Sequence, residues 1–243
     1  IMSQQLTKHF EKANLQLVVA EKPFVRGVRA KGIFQMTIEG NKPEQFKIYR
    51  GVGNDVKVVD VDVKKRQVLL VVKEAKRTFV ERVWDKDKKK NVDVERVTSA
   101  EMRRYLCGMD ERHLFISELP KDKGGKINTV DDSHQWLKPK EFSTTRRRKG
   151  AKVKRQGEWF FVDVTEDEKQ LINEKKLSIR KEIALPTRGK PHVCDYYLKV
   201  GEVMFIKGRV RHLDHATIEF GDWQRVYKNN EPASLTNVHG WID

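Results

Sequence analysis

Only two cysteines occur in the 243 residues, Cys107 and Cys194. They stand far apart and lack Cys-x-x-Cys spacing, so neither a disulfide framework nor a four-thiolate zinc site is on offer. A reducing, cytoplasmic setting fits that usage. No segment approaches eighteen consecutive apolar residues, and no apolar stretch of signal-peptide length opens the chain. Membrane spanning and export are therefore both disfavoured. The common catalytic signatures are missing as well: there is no Walker-type phosphate loop, no Gly-x-Gly-x-x-Gly after a strand, no Gly-x-Ser-x-Gly elbow and no His-Glu-x-x-His. Helix-turn-helix and zinc-finger spacings are absent, which argues against sequence readout by a recognition helix. No fixed-period repeat is visible.

Acidic residues are also in short supply. The 50 lysines and arginines exceed the 35 acids, giving a formal net charge of +15 and a pI near 9.7. Such a surface attracts polyanions, and DNA or RNA is the default partner. The excess is uneven. Residues 138–155, "KPKEFSTTRRRKGAKVKR", hold nine basic residues and one acid, whereas residues 156–243 hold thirteen basic and fourteen acidic ones. More than half of the net charge thus sits in one linker-like stretch.

Between residues 14 and 97, short segments rich in Val, Ile and Phe alternate with Gly, Pro, Asn and Lys clusters, the pattern of strands and turns. "DKDKKKN", residues 85–91, reads as an exposed hairpin tip whose lysines are solvated. Thr98 to Glu101 has capping-box spacing with Gly108 beyond it, which predicts a helix over 99–107. "HLFISEL" reads as a buried strand stopped by Pro120. A second helix is predicted over 130–137, with Thr129 as N-cap and Pro139 after its end. Strand-like segments resume after the basic stretch.

The predicted fold is mainly β with a few short helices (α+β). It comprises a β-rich domain over 1–137, a basic linker over 138–152 and a small β-barrel or sandwich over 153–243.

Two constellations bear on function. In "KGRVR", Lys207, Arg209 and Arg211 alternate on one strand, which places them on one face about 7 Å apart. That spacing approximates successive phosphates along a nucleic-acid strand. Lys152, Lys154 and Arg155 form a weaker version, and Arg146, Arg147 and Arg148 supply further phosphate contacts from the linker. Trp159, Trp223 and Tyr227 lie among these strands as rings on which bases can stack, although alternation buries at least every second ring in "EWFFVDV".

The second constellation is "HLDH". Were Leu213-Asp214 a two-residue hairpin loop, His212 and His215 would be cross-strand neighbours about 5 Å apart. Such a pair can chelate a metal or transfer protons. His192 and Glu158 are the candidate further members. Leu-Asp is a poor two-residue loop, however, so a polar turn in which Asp214 hydrogen-bonds its own backbone is the competing reading. Near the middle of the chain, "GMDERHLF" crowds Asp110, Glu111, Arg112 and His113 together, and it reads first as a self-satisfied ion network.

"RQGEWFF", "GKPHV" and "KGRVRHLDHATIEFGDWQRVYKN", together with "YLCGMDERHLFISELP", resemble a group of bacterial and phage proteins to which no activity is attached. The resemblance spans about residues 103–231. It implies that Arg155, Gln156, Gly157, Glu158, His192, His212, Asp214 and His215 cluster in one site, and it implies no mechanism. "GKPHVCD" and "DWQRV" differ from the His-Ala and Trp-His of that pattern.

These features join in one reading: a nucleic-acid-binding protein that works mainly through phosphate contacts from the basic linker and strand face, with no required cofactor. The alternative is a metal-dependent phosphodiesterase or nuclease. In it His192, His212 and His215 hold zinc or manganese, and Glu158 or Asp214 serves as a further ligand or as the base. A second alternative is a non-enzymatic subunit of a phage or bacterial assembly that meets an acidic protein.

Overall fold

The first helix needs no cap to be read. Leu6, Phe10 and Ala13 fall four and three residues apart, one stripe of a 3.6-residue period, and all three are buried. In the computed structural model, which describes residues 2–25, 31–40, 43–119, 126–139, 151–187 and 190–230, they seat α1 (Met2–Lys12) on a hydrophobic core. Among the described residues the architecture is mainly β with three short helices, the class that the segment pattern predicts.

Strands β1 (Leu17–Val19), β2 (Gln35–Glu39) and β3 (Gln45–Tyr49) form a sheet ordered β1-β3-β2, with β1 parallel to β3. Next come β4 (Asp55–Asp62), β5 (Gln67–Glu74), β6 (Arg77–Asp85), β7 (Lys90–Thr98), β8 (Glu101–Asp110) and β9 (His113–Glu118). Four of these make an antiparallel sheet ordered β4-β5-β8-β9. Phe34, Met36, Phe46 and Ile48 meet Val68, Leu70, Val72, Tyr105 and Cys107 in one core, so α1 and both sheets share it. The pair β6–β7 is a separate two-stranded ribbon whose turn falls at residues 86–89, where the lysine-rich tip is expected.

The helix predicted over 99–107 is a strand instead. All eight residues from Glu101 to Gly108 pair antiparallel with β5. Tyr105, Leu106 and Cys107 are fully buried, a continuous apolar run typical of a central strand covered on both faces. Tertiary burial overrides the local capping signal. By contrast, α2 (Val130–Leu137) matches its prediction. Thr129 Oγ1 accepts the Asp132 amide, and the Asp132 carboxylate accepts the amides of Asn128 and Thr129.

Of the described residues, those up to Met109 and Leu114–His134 cluster as one unit, and Asp110–His113 with Gln135–Asn230 as another. That the four-residue turn 110–113 belongs to the second unit is not foreshadowed by the sequence. Residues 140–150 of the expected linker, including Arg146, Arg147 and Arg148, lie outside the described residues.

The second unit is one six-stranded sheet built from β10 (Val153–Gln156), β11 (Trp159–Asp163), β12 (Arg180–Ala184), β13 (Val193–Val200), β14 (Val203–Arg211) and β15 (Ile218–Lys228). Its order is β10-β11-β15-β14-β13-β12, every neighbouring pair being antiparallel. The barrel-or-sandwich expectation resolves to a sheet that curls without closing, with β10 and β12 as its edges. The curl has a local cause. Between Ile206↔Gln224 and Gly208↔Phe220, β15 spends four residues against two on β14, and such irregularities bend a strand. The β10–β11 hairpin thereby folds back over the start of β15. Phe161 meets Phe220 at 5.2 Å between ring centroids, and Gln156 Nε2 donates to the Ala216 carbonyl.

Inside the curl lies a core of Trp159, Phe161, Cys194, Tyr197, Ile206, Val210 and Phe220. The outer face carries α3 (Glu166–Glu174), whose Ile172 packs on Leu198 and Phe205. Thr165 caps α3 in a capping box with Glu168. Because Phe160 and Val162 also pack with Tyr227 on their own side, β11 is covered on both faces.

Candidate functional site

Three loops meet at one mouth of the curled sheet. The two-residue turn Gly157–Glu158 joins β10 to β11, His192 immediately precedes β13, and residues 212–217 join β14 to β15. Since Val193 pairs with Arg211, His192 and His212 are set side by side at the end of adjacent strands. The connection after β14 has six residues, so Leu213-Asp214 is not a two-residue hairpin loop. The two histidines nevertheless meet, at 4.7 Å between ring centroids. His192 stacks on His212 at 4.3 Å and lies 5.6 Å from His215. One ring nitrogen from each of the three lies within 4.8 Å of the other two.

The three rings are not equivalent. His192 is 1% exposed, and neither of its ring nitrogens has a hydrogen-bond partner among the described residues. Burial, reinforced by His212 and His215, depresses its pKa to about 3, so the ring is neutral. His212 is tied at both nitrogens. Asp214 N–H donates to Nδ1 at 3.1 Å, which leaves the proton on Nε2 to be donated to the Lys190 carbonyl at 3.0 Å. Thus the polar-turn reading holds in an altered form: the His212 ring, and not the Asp214 carboxylate, closes the turn. His215 is buried, and its Nδ1 lies 4.0 Å from Glu111 Oε2.

Gly157 completes the pocket. Its φ of +54 suits the first central position of a hairpin turn, where glycine is favoured. A Cβ there would lie 3.3 Å from His215 Nε2, 3.3 Å from His192 Cε1 and 3.5 Å from His192 Nε2. Two imidazoles thus pack against Gly157, where any side chain would crowd His215 Nε2 and the edge of the His192 ring.

The expected carboxylate members are engaged elsewhere. Glu158 is buried and accepts the Thr187 hydroxyl at 2.7 Å, and it is not in the group of converging ligand atoms. Asp214 accepts both of its bonds from Lys190 Nζ at 2.9 Å and faces His113 Nε2 at 3.6 Å. Lys190 leads the causes that hold its carboxyl below the usual range, against the opposing effect of burial. Two residues from the central segment that read as a self-contained ion network, Glu111 and His113, instead face His215 and Asp214. No signal in the local sequence links positions about a hundred residues apart.

The basic strand face needs correction. Ile206 and Val210 face the inner core as alternation predicts, but Arg209 and Arg211 are not a free ladder. Asp195 accepts from Arg209 N–H at 3.0 Å, from its Nε at 3.1 Å and from Arg211 Nη2 at 3.1 Å, while Glu182 also pairs with Arg211. The register slip between Cys194 and Tyr196 leaves Arg209 and Asp195 out of the β13–β14 pairing, and the Asp195 carboxylate accepts the Arg209 amide. Of the three, only Lys207 has no carboxylate within ion-pair distance among the described residues. Lys154 donates to the Glu219 carbonyl over the Phe220 ring, Arg155 donates to the Gly157 carbonyl, and Lys152 is tied through its backbone to Asp163. Two of the three proposed stacking rings are core residues, and the third is half-buried. Trp159 and Tyr227 are buried because β11 is covered on both faces, and Trp223 packs against the α3 cluster.

Comparison with protein-family models, with curated proteins and with solved structures finds no match. Among the described residues, no helix is long and apolar enough to cross a membrane.

Proposed function

We propose that the second unit is a divalent-metal centre for hydrolysis of phosphodiesters, with His192, His212 and His215 as its protein ligands and nucleic acid as its polyanionic substrate. The single observation that carries this reading is the convergence of three imidazoles, one of them buried with both nitrogens unpartnered among the described residues, beside a glycine whose Cβ would crowd two of the rings. A buried polar atom without a partner is costly, and a metal ion would supply one. Three nitrogen donors, with no fourth protein donor among the described residues, suit zinc in a site that keeps one position for water or substrate. Manganese prefers oxygen-rich surroundings and fits less well.

His212 joins the set by giving up the Asp214 amide. Its Nε2–H bond to the Lys190 carbonyl is the outer contact that a metal-bound imidazole ordinarily keeps. Bound metal would supply a water whose pKa is lowered toward neutrality and a positive charge for the phosphoryl oxygens. The chain contributes orientation of the rings, and Lys190 beside the site contributes positive charge next to an anionic substrate. Overall charge of +15 draws such a substrate in.

The test is direct. Protein purified without chelator should hold about one equivalent of zinc per chain, and this should be lost in His212→Ala and His192→Ala. Zinc-loaded protein should cleave single- or double-stranded nucleic acid, or bis(p-nitrophenyl) phosphate, in a chelator-sensitive manner. Stoichiometric metal without cleavage would leave a structural centre and overturn the hydrolytic half of the proposal. Nucleic-acid binding without metal would favour the simple phosphate-binding reading.

A further inference from the structure

The geometry points to Glu111 as the positioning residue for His215, acting through Nδ1 so that Nε2 is presented to the metal; this inference rests on the metal reading above. Three observations converge on it. Glu111 Oε2 lies 4.0 Å from His215 Nδ1, the nitrogen remote from the pocket, while Nε2 is the atom facing the space at Gly157. The same Oε2 accepts the Ala216 amide at 2.8 Å, which anchors the carboxylate to the residue next to His215. Finally, Glu111 holds a φ of +44 in the turn between β8 and β9.

That backbone conformation is the informative part. Two-residue hairpin turns that need positive φ take Gly, Asn or Asp, and a glutamate there runs against local preference. Strain of this kind persists where surrounding contacts over-determine it, and it concentrates at functional positions. Here the retained side chain is the one that reaches the histidine cluster. A carboxylate on the outer nitrogen of a ligating imidazole fixes the tautomer and raises the basicity of the inner one. At 4.0 Å the two atoms are too far apart for a hydrogen bond, and a closure of about 1 Å makes one. Charge also favours the arrangement. Three imidazole ligands bring no negative charge to a divalent ion, and the nearby carboxylate of Asp214 is already committed to Lys190.

His113 follows Glu111 in the same turn and faces Asp214 Oδ1 at 3.6 Å. Asp214 in turn supplies the amide that holds His212 Nδ1. The turn therefore contacts His215 directly and, through His113, the residue whose amide His212 Nδ1 accepts.

The experiment uses the full chain with Co²⁺ as the probe, reading the visible d–d spectrum and affinity by chelator competition. Glu111→Gln keeps an acceptor for the Ala216 amide and removes the charge. Glu111→Gly removes both and relieves the positive φ. The role predicts that both variants bind Co²⁺ about 10- to 100-fold more weakly than wild type, with an altered spectrum. It also predicts that the metal-free thermal midpoint of Glu111→Gly equals or exceeds that of wild type. A residue serving the turn alone gives another pattern, with Co²⁺ affinity within twofold of wild type in both variants, and this outcome overturns the inference. If wild type itself gives no Co²⁺ spectrum, the metal reading fails first, and this role falls with it.

Discussion

Replacing Gly157 with alanine separates backbone strain from the filling of the metal pocket, provided that Gly201→Ala is measured beside it. Both glycines hold nearly the same positive φ, +54 and +58. A Cβ at Gly201 meets nothing within 4 Å, whereas at Gly157 it sits 3.3 Å from His215 Nε2 and from His192 Cε1. An L residue in this conformation costs about 1–2 kcal/mol. For a chain of this size each kcal/mol lowers the thermal midpoint by about 2–4 °C, so both variants should melt about 2–8 °C below wild type without metal. Zinc affinity should divide them. The methyl group at 157 occupies the space between two ligand atoms and pushes the rings apart by a few tenths of an ångström, so affinity falls about tenfold or more. Gly201→Ala should bind zinc as wild type does. Thermal denaturation of the metal-free proteins and zinc competition against a chromophoric chelator provide the two readings. Equal zinc affinity in Gly157→Ala and Gly201→Ala would refute the assignment of this pocket.

Further tests address the surrounding fold and the basic stretch. Thr165→Ala removes the capping box of α3 and should cost about 1 kcal/mol, read as a shift in urea midpoint. Phe161→Ala empties the centre of the curled sheet and should cost about 3–5 kcal/mol, with wild-type behaviour in urea contradicting its place in the core. The Asp195 carboxyl is held below its ordinary range by the Arg209 amide and guanidinium, then by the charges of Arg209 and Arg211. Its folded pKa is depressed, so its contribution is present above the unfolded value of about 3.9 and is lost as pH falls below it. Asp195→Asn should therefore be less stable than wild type at pH 7, with the difference closing in acid; a gap that persists in acid contradicts the ion-pair account. Changing Arg146, Arg147 and Arg148 to alanine should flatten the log–log salt slope of nucleic-acid binding by up to about 3. An unchanged slope would remove those side chains from the phosphate contacts.

Much of the fold was legible where pattern and burial agree. The β-rich texture, the hairpin tip after Asp85 and the helix behind Thr129 follow from alternation, turn residues and a cap. The same cap signature precedes two different structures. Thr98-x-x-Glu101 precedes a buried strand, while Thr165-x-x-Glu168 opens a real helix. What distinguishes them lies downstream: a solid apolar run against β5 in one case, and a single buried stripe through Ile172 in the other. The curl of the second sheet was not legible, because it arises from register slips that alternation does not encode.

For the site, the histidines stood out because a pair three apart follows a strand, and His192 joined them through the pairing of β13 with β14. Glu111 was visible only as part of a charged turn. Its link to His215 depends on tertiary placement, although a glutamate at a hairpin position that wants glycine was the signal to pursue. The strand arginines were correctly placed on one face, yet Asp195 and Glu182 arrive there from neighbouring strands. Alternation along a single strand says nothing about which charges lie across from it.

The most direct measurement is X-ray diffraction from crystals of the full chain grown with zinc, with data collected on both sides of the zinc absorption edge. The account predicts one strong anomalous peak within bonding distance of nitrogens of His192, His212 and His215, next to Gly157. Fully occupied zinc elsewhere, with these three rings still stacked and His212 Nδ1 still accepting the Asp214 amide, would contradict it.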